Sequence, residues 1–192
     1  MKKVTLYIIN TNILDVSSLP LLTNDDHVSL NRYKDERTRK EKTASLYLKK
    51  KYIGDHYISD KGKPLSKDKY FNISHAYGYV LLAISDIDIG VDIEGNRKVE
   101  DELKRYIASD EEYDLMVDDQ IFYKVWTSKE SLLKCVGTGL VSNLKEIPSL
   151  PFNGLKAYQG NNYYSKCIDY KGLIISLTLK TDDDFFINII EE

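Results

Sequence analysis

Cysteine and histidine are scarce in this 192-residue sequence, which has two cysteines, Cys135 and Cys167, and three histidines. Neither cysteine stands in a C-x-x-C pair and both lie among apolar residues, so buried thiols are expected rather than a zinc centre or a redox pair. Long apolar runs are also missing. Lys2 and Lys3 precede only Val4 to Ile9, a run that Asn10 and Asn12 interrupt, which argues against a signal peptide or a membrane span there. A cytoplasmic protein with no membrane partner is the expectation. There is no excess of positive charge: the net charge is -3, so nucleic acid is not attracted globally and an anionic ligand must be held by a local patch. With four prolines and no low-complexity stretch, nothing resembles a flexible linker. One domain, or two intimately packed halves with an approximate boundary at 1–95 and 96–192, is expected.

What the chain does contain is a globular mixture, 42% hydrophobic and 30% charged. Its most informative stretch is I-G-V-D-I-E, Ile89 to Glu94. Strand alternation directs Ile89, Val91 and Ile93 to a core and sets Gly90, Asp92 and Glu94 on the other face. Two neighbouring carboxylates repel unless a cation or a proton relieves them. A metal site is one reading of the pair, and a strand ending in solvated acids is the other.

Val4 to Ile9 reads as the first strand. T-N-D-D, Thr23 to Asp26, is a capping box that predicts a long helix reaching about Ile53. Between Arg32 and Lys51 that helix is strongly basic, either as a solvated face or as a surface for a phosphate-rich ligand. G-K-P-L at Gly62 is a turn, followed by F-N-I-S-H, Phe71 to His75. Val80 to Ser85 and the Ile89 strand then suggest a hairpin across Asp86 and Asp88. Ser74 and His75 are not a nucleophile and base by adjacency, because successive strand side chains point apart, but both could hydrogen-bond one extended anion.

Helices are expected near Glu100 to Ile107, from the S-D-E-E box at Ser109, and from Gln120 to Val136, where Gly137 and Gly139 end the last of them. Glu130 and Lys134, four apart, share a face there, as a surface ion pair or as a metal carboxylate with a phosphate-binding lysine beside it. Near the end, Lys171 to Leu179 loosely echoes Tyr77 to Ser85, which suggests a duplicated unit.

G-K-P, F-N-I-S-H, I-G-V-D-I-E and W-T-S-K-E-S-L-L-K, in this order from Gly62 to Lys134 and followed by G-T-G-L ending at Leu140, resemble the surfactin-type 4'-phosphopantetheinyl transferases. The resemblance implies an α+β fold, a pseudo-dimer of two similar α/β halves with the active site in the cleft between them, working as a monomer. It implies Mg-dependent transfer of 4'-phosphopantetheine from coenzyme A to a serine of an apo acyl or peptidyl carrier protein, releasing adenosine 3',5'-bisphosphate. By family analogy Asp92, Glu94 and Glu130 bind magnesium, Glu130 or a water held by the acids is the general base, and Lys134 meets the phosphates. Ser74 and His75 would hold coenzyme A phosphates, and Gly62, Lys63 and Pro64 match the segment that frames the adenine. Lys34, and with it Arg39, would supply basic contacts from the helix. A magnesium-dependent enzyme acting on a free nucleotide would turn it over without a carrier protein, and a non-catalytic coenzyme A binding module would tolerate loss of Glu130.

Overall fold

The computed structural model describes residues 2–16, 19–95, 97–139 and 143–192. Its strands are β1 (Lys2–Asn10), β2 (Tyr57–Ile58), β3 (Pro64–Leu65), β4 (Tyr70–Ala76), β5 (Tyr79–Ser85), β6 (Ile89–Glu94), β7 (Gly154–Tyr158), β8 (Asn161–Tyr170), β9 (Leu173–Leu179) and β10 (Phe185–Glu191). The α-helices among the described residues are α1 (Asn24–Leu30), α2 (Glu36–Tyr52), α3 (Asp101–Ile107), α4 (Asp110–Asp114) and α5 (Asp119–Val136). The strands form two four-stranded sheets, β10-β1-β5-β4 and β6-β9-β8-β7, with β2 and β3 as a separate pair. This is an α+β fold. No helix among the described residues is long and apolar enough to cross a membrane.

Alternation along the strands explains the layering. Val4, Leu6 and Ile8 of β1, Leu81 and Ala83 of β5, Ile89, Val91 and Ile93 of β6 and Ile175, Leu177 and Leu179 of β9 meet in one core between the sheets. The opposite face of the first sheet, through Val80, Leu82 and Phe71, packs on Ala44, Tyr47 and Leu48 of α2. On the second sheet, Ile174 and Tyr163 pack against Val125, Leu132 and Leu133 of α5. Each sheet thus has a core on both faces, and β6 is buried along nearly its whole length.

Two sequence expectations change here. The long helix from Thr23 is two helices: the Thr23 capping box forms as read, but α1 ends at Leu30, and Asp35 caps a new helix by accepting from the Thr38 N–H at 2.7 Å. A carboxylate that bonds the backbone ahead of it competes with helix continuation and favours a fresh start. The expected hairpin between β5 and β6 does not form. Both neighbours of β5 are already supplied by β1 and β4, and β6 crosses to the other sheet, where it pairs antiparallel with β9 from Ile89 opposite Leu179 to Glu94 opposite Ile174. A corresponding crossing follows β9: β10 leaves the second sheet and pairs parallel with β1, Val4 opposite Ile187. The residues that echo each other in sequence, Tyr77 to Ser85 and Lys171 to Leu179, contain β5 and β9, each the second arm of a hairpin. Leu140 lies outside the described residues.

Candidate active site

The site forms where β4, β6 and α5 converge. Gly90 faces α5 so closely that a Cβ there would lie 1.9 Å from the Ser131 carbonyl oxygen and 2.4 Å from the Cys135 nitrogen. Only hydrogen fits. Small hydroxyl residues make the rest of this helix–sheet seam: Thr127 meets Ser176 at 2.7 Å, and Ser131 meets Thr178 at 2.8 Å. Gly90 therefore leaves room for the helix backbone, and that approach brings Glu130 and Lys134, one turn apart, over Asp92 and Glu94.

The rotation of α5 is fixed from behind. Lys129 is fully buried, and its ammonium donates to Glu112 Oε2 at 2.6 Å and to the Leu144 carbonyl at 2.8 Å. Glu112 in turn accepts from the backbone N–H groups of Ser149 and Ser109. Although burial works to raise it, the Glu112 carboxyl is held below its usual range, with the Lys129 bond the strongest opposing cause. Neighbouring helix residues point about 100° apart, so anchoring Lys129 inward turns Glu130 to the cleft. The sequence reading passed over Lys129, although an unbroken W-T-S-K-E on an amphipathic helix places its lysine on the apolar side.

Asp92 is buried, and its Oδ1 accepts from Ser74 Oγ at 2.8 Å and Lys134 Nζ at 2.5 Å. Lys134 also donates to Ser74 Oγ at 3.2 Å. Asp92 Oδ2 and Glu130 Oε1 are buried with no hydrogen-bond partner among the described residues. Burial, then repulsion from Asp92, pushes the Glu94 carboxyl up to about 7, and the same two causes in the same order raise Glu130. Three carboxyls, two of them carrying buried acceptor oxygens without partners, form a hard oxygen donor set of the kind that suits magnesium. As they stand, no three such groups among the described residues are gathered closely enough to hold a metal ion. The ammonium of Lys134 takes Asp92 Oδ1 instead.

These residues line a cleft of about 790 Å³ whose far wall is α2 and the segment before it. Arg32, Lys42 and Lys49 line that wall, with Tyr33 beside them and Trp126 across from them. Burial, then the nearby Lys42, lowers the Lys49 ammonium. Neither lysine pairs with a carboxylate among the described residues. Lys42 Nζ lies 3.0 Å from His75 Nε2, and His75 Nδ1 lies 3.2 Å from Glu41 Oε2. An ammonium can only donate, so Nε2 accepts and Nδ1 carries the proton shared with Glu41. Ser74 and His75 point to opposite sides of β4, as adjacent strand residues must, yet both border the cleft. Ser74 serves the acids and His75 the basic wall.

A second cavity of about 370 Å³ adjoins the first through Ile73, Glu130 and Lys134. Gly62, Lys63 and Pro64 line it, as do Gly137 and Gly139 at the end of α5. Asn72, which the sequence reading also passed over, borders this cavity, and its Oδ1 accepts from the Val91 N–H at 3.0 Å. It therefore ties β4 to the acid-bearing strand.

Two of the basic residues expected at the site stand elsewhere. Lys34 is exposed in the linker between α1 and α2 and does not line the cleft, while Arg39 lines a separate cavity with His27 and Glu36. The basic wall is built from Arg32, Lys42 and Lys49.

Three carboxyls and Lys134 thus line one wall of the cleft, and Arg32, Lys42 and Lys49 line the other. The family model of the 4'-phosphopantetheinyl transferase superfamily matches residues 88–179, which carry Asp92, Glu94, Glu130 and Lys134. The chain is 38% identical over 88 residues to the 4'-phosphopantetheinyl transferase Sfp of Bacillus subtilis (strain 168), a match covering 41% of this chain and 39% of that protein. It is 28% identical over 151 residues to the 4'-phosphopantetheinyl transferase HetI of Nostoc sp. (strain PCC 7120), covering 66% of this chain and 63% of that protein. With gsp of Aneurinibacillus migulanus, another 4'-phosphopantetheinyl transferase, identity is 33% over 89 residues, 43% of this chain and 38% of that protein. The chain thus matches 39%, 63% and 38% of the lengths of these three relatives. The likeness to the 4'-phosphopantetheinyl transferases, read from four motifs, is shown for the segment that holds the acids.

Proposed function

We propose that this chain transfers 4'-phosphopantetheine from coenzyme A to a serine of an apo acyl or peptidyl carrier protein, releasing adenosine 3',5'-bisphosphate. The observation that carries the reading is the meeting of Asp92, Glu94, Glu130 and Lys134 in one cleft with Lys42 and Lys49 opposite, neither paired with a carboxylate among the described residues. Anions are drawn to one wall and hard cations to the other, as a pyrophosphate donor requires.

Asp92, Glu94 and Glu130 would hold magnesium, which supplies charge neutralisation at the pyrophosphate. The remaining roles fall to the chain itself. Lys134, now bonded to Asp92 and Ser74, is within a side-chain rotation of the same region and donates to phosphate oxygens when a ligand displaces it. Glu130, or a water held by the acids, would take the proton of the attacking serine. Lys42, Lys49 and Arg32, with His75 behind Lys42, receive the remaining phosphate of coenzyme A. The cavity of Gly62, Lys63 and Pro64 takes the adenine. Two α/β halves in one chain, supported by the paired hairpins β4–β5 and β8–β9, would let a monomer carry the whole cleft.

The test is mass spectrometry of apo carrier proteins incubated with the chain, coenzyme A and magnesium. The expected result is the phosphopantetheine mass increment on a serine, abolished by chelation. Turnover of coenzyme A or of a free nucleotide with no carrier protein present would point to a different phosphoryl enzyme.

A further inference from the structure

We infer that Lys63 is a positioning residue that clamps the Gly62–Pro64 wall of the second cavity to the C-terminal end of α5, and that it does not itself bind phosphate. The inference rests on the transferase reading for the identity of the ligand, and its geometry stands on three contacts. Lys63 Nζ donates to the Cys135 carbonyl at 2.6 Å and to Asp88 Oδ1 at 2.8 Å. Cys135 lies in the last turn of α5, where carbonyls lack helical partners and the helix dipole is negative, so an ammonium both satisfies the carbonyl and complements the field. Asp88 precedes β6 by one residue and neutralises the same ammonium. The Lys63 side chain is only 12% exposed.

The stem of Lys63 is fitted as closely as its head. Gly137, the left-handed cap of α5 at φ 78°, leaves a gap in which a Cβ would sit 2.9 Å from Lys63 Cδ. One lysine therefore joins three pieces of chain: the turn before β3, the approach to β6 and the end of α5. Glu130 and Lys134 project from that same helix into both cavities. A lysine that already bonds a carboxylate and a helix terminus has little field left to offer a phosphate, in contrast to Lys42 and Lys49. Lys63 thus sets where the wall of the second cavity stands relative to Glu130 and Lys134.

The experiment is calorimetric titration of the chain with coenzyme A over a series of potassium chloride concentrations, for the unmodified chain, Lys63→Met, Asp88→Asn and Lys42→Met. Methionine keeps most of the stem's packing against Gly137 and removes only the bonds of the ammonium. Lys63→Met is expected to weaken binding on the order of tenfold while leaving its salt dependence unchanged, because no ligand-facing charge is lost. Lys42→Met is expected to flatten the salt dependence. Asp88→Asn separates the two roles on the folded chain: it frees the Lys63 ammonium, so a phosphate-binding lysine would bind coenzyme A more tightly, whereas a clamp deprived of its anchor binds it more weakly. Tighter binding in Asp88→Asn, unchanged affinity in Lys63→Met, or a salt dependence flattened by Lys63→Met as by Lys42→Met would each overturn the inference while leaving the transferase reading intact. No coenzyme A binding by the unmodified chain would overturn both.

Discussion

Replacing the buried Lys156 with methionine should stabilise the protein. It lies on β7, is 3% exposed, and its ammonium nitrogen has no hydrogen-bond partner among the described residues. Burial, with a smaller push from Lys129, lowers its pKa from 10.5 to about 7, against weaker pulls from Cys167 and Glu112. At about 1.36 kcal/mol for each tenfold change, the charged form is disfavoured in the fold by roughly 5 kcal/mol. The sign follows from proton binding. Between about 7 and 10.5 the unfolded chain holds a proton on Lys156 that the folded chain has released, so stability rises with pH across that window, and the full penalty applies below it. At pH 7 the penalty is about 4 kcal/mol and at pH 9 about 2 kcal/mol. Lys156→Met, similar in length and without the charge, should therefore raise stability by a few kcal/mol at pH 7, on the order of 10 °C in Tm for a chain of this size. It should also remove about 2 kcal/mol of the gain between pH 7 and pH 9. Urea unfolding of both proteins at the two pH values measures this directly. Equal stabilities at pH 7, or the same pH dependence in both proteins, would refute the account and place a partner on the lysine.

Glu130→Gln and Asp92→Asn should each lower carrier modification about 100-fold or more, with the Tm of Glu130→Gln unchanged or raised because one member of a repelling buried pair is gone. A fall in Tm parallel to the fall in activity would make Glu130 structural. Gly90→Ala drives a methyl into the backbone of α5 and should cost about 1–3 kcal/mol or more; an unaltered unfolding midpoint would disprove the close approach. Lys129→Met leaves Glu112 buried and unpaired, at a cost of about 3–5 kcal/mol, and adding Glu112→Gln should recover much of it; a double variant no more stable than Lys129→Met would show that the pair is not the cause. Lys42→Met should weaken coenzyme A binding on the order of tenfold but dephospho-coenzyme A little. Equal losses for the two would move Lys42 away from the 3'-phosphate.

What could be read in the sequence was what local periodicity controls. I-G-V-D-I-E announced its own alternation, the boxes at Thr23 and Ser109 formed helix starts, and Glu130 and Lys134 fell on one face because four residues make about a turn. What escaped depends on partners far along the chain. Nothing near Ile89 says that its ladder partner is Leu179 rather than a residue of β5. Nothing near Gly90 says that the space it leaves is filled by the Ser131 carbonyl of α5. Lys34 and Arg39 stand away from the cleft, in a region where a second helix begins at Asp35, whose carboxylate accepts from the Thr38 N–H. Asn72 escaped because an amide spanning two sheets leaves no periodic mark.

The parallel pairing of β1 with β10 ties the beginning of the chain to residues 185–191. During synthesis earlier residues emerge first and begin to fold as a unit, yet here β1 keeps an open edge until residues 185–191 have left the ribosome. Such contacts between distant residues are slow to form, and an unpaired apolar edge is open to association with other chains in the meantime. Ser74 and His75 stand on the same sheet, at its opposite edge. A half-made chain can therefore hold the two residues that flank the cleft but not the closed sheet that supports them, and the acids of β6 wait in addition for β9. The sheet behind the cleft is therefore closed only once residues 185–191 have been made, and a chain translated short of them leaves β1 with an unpaired edge.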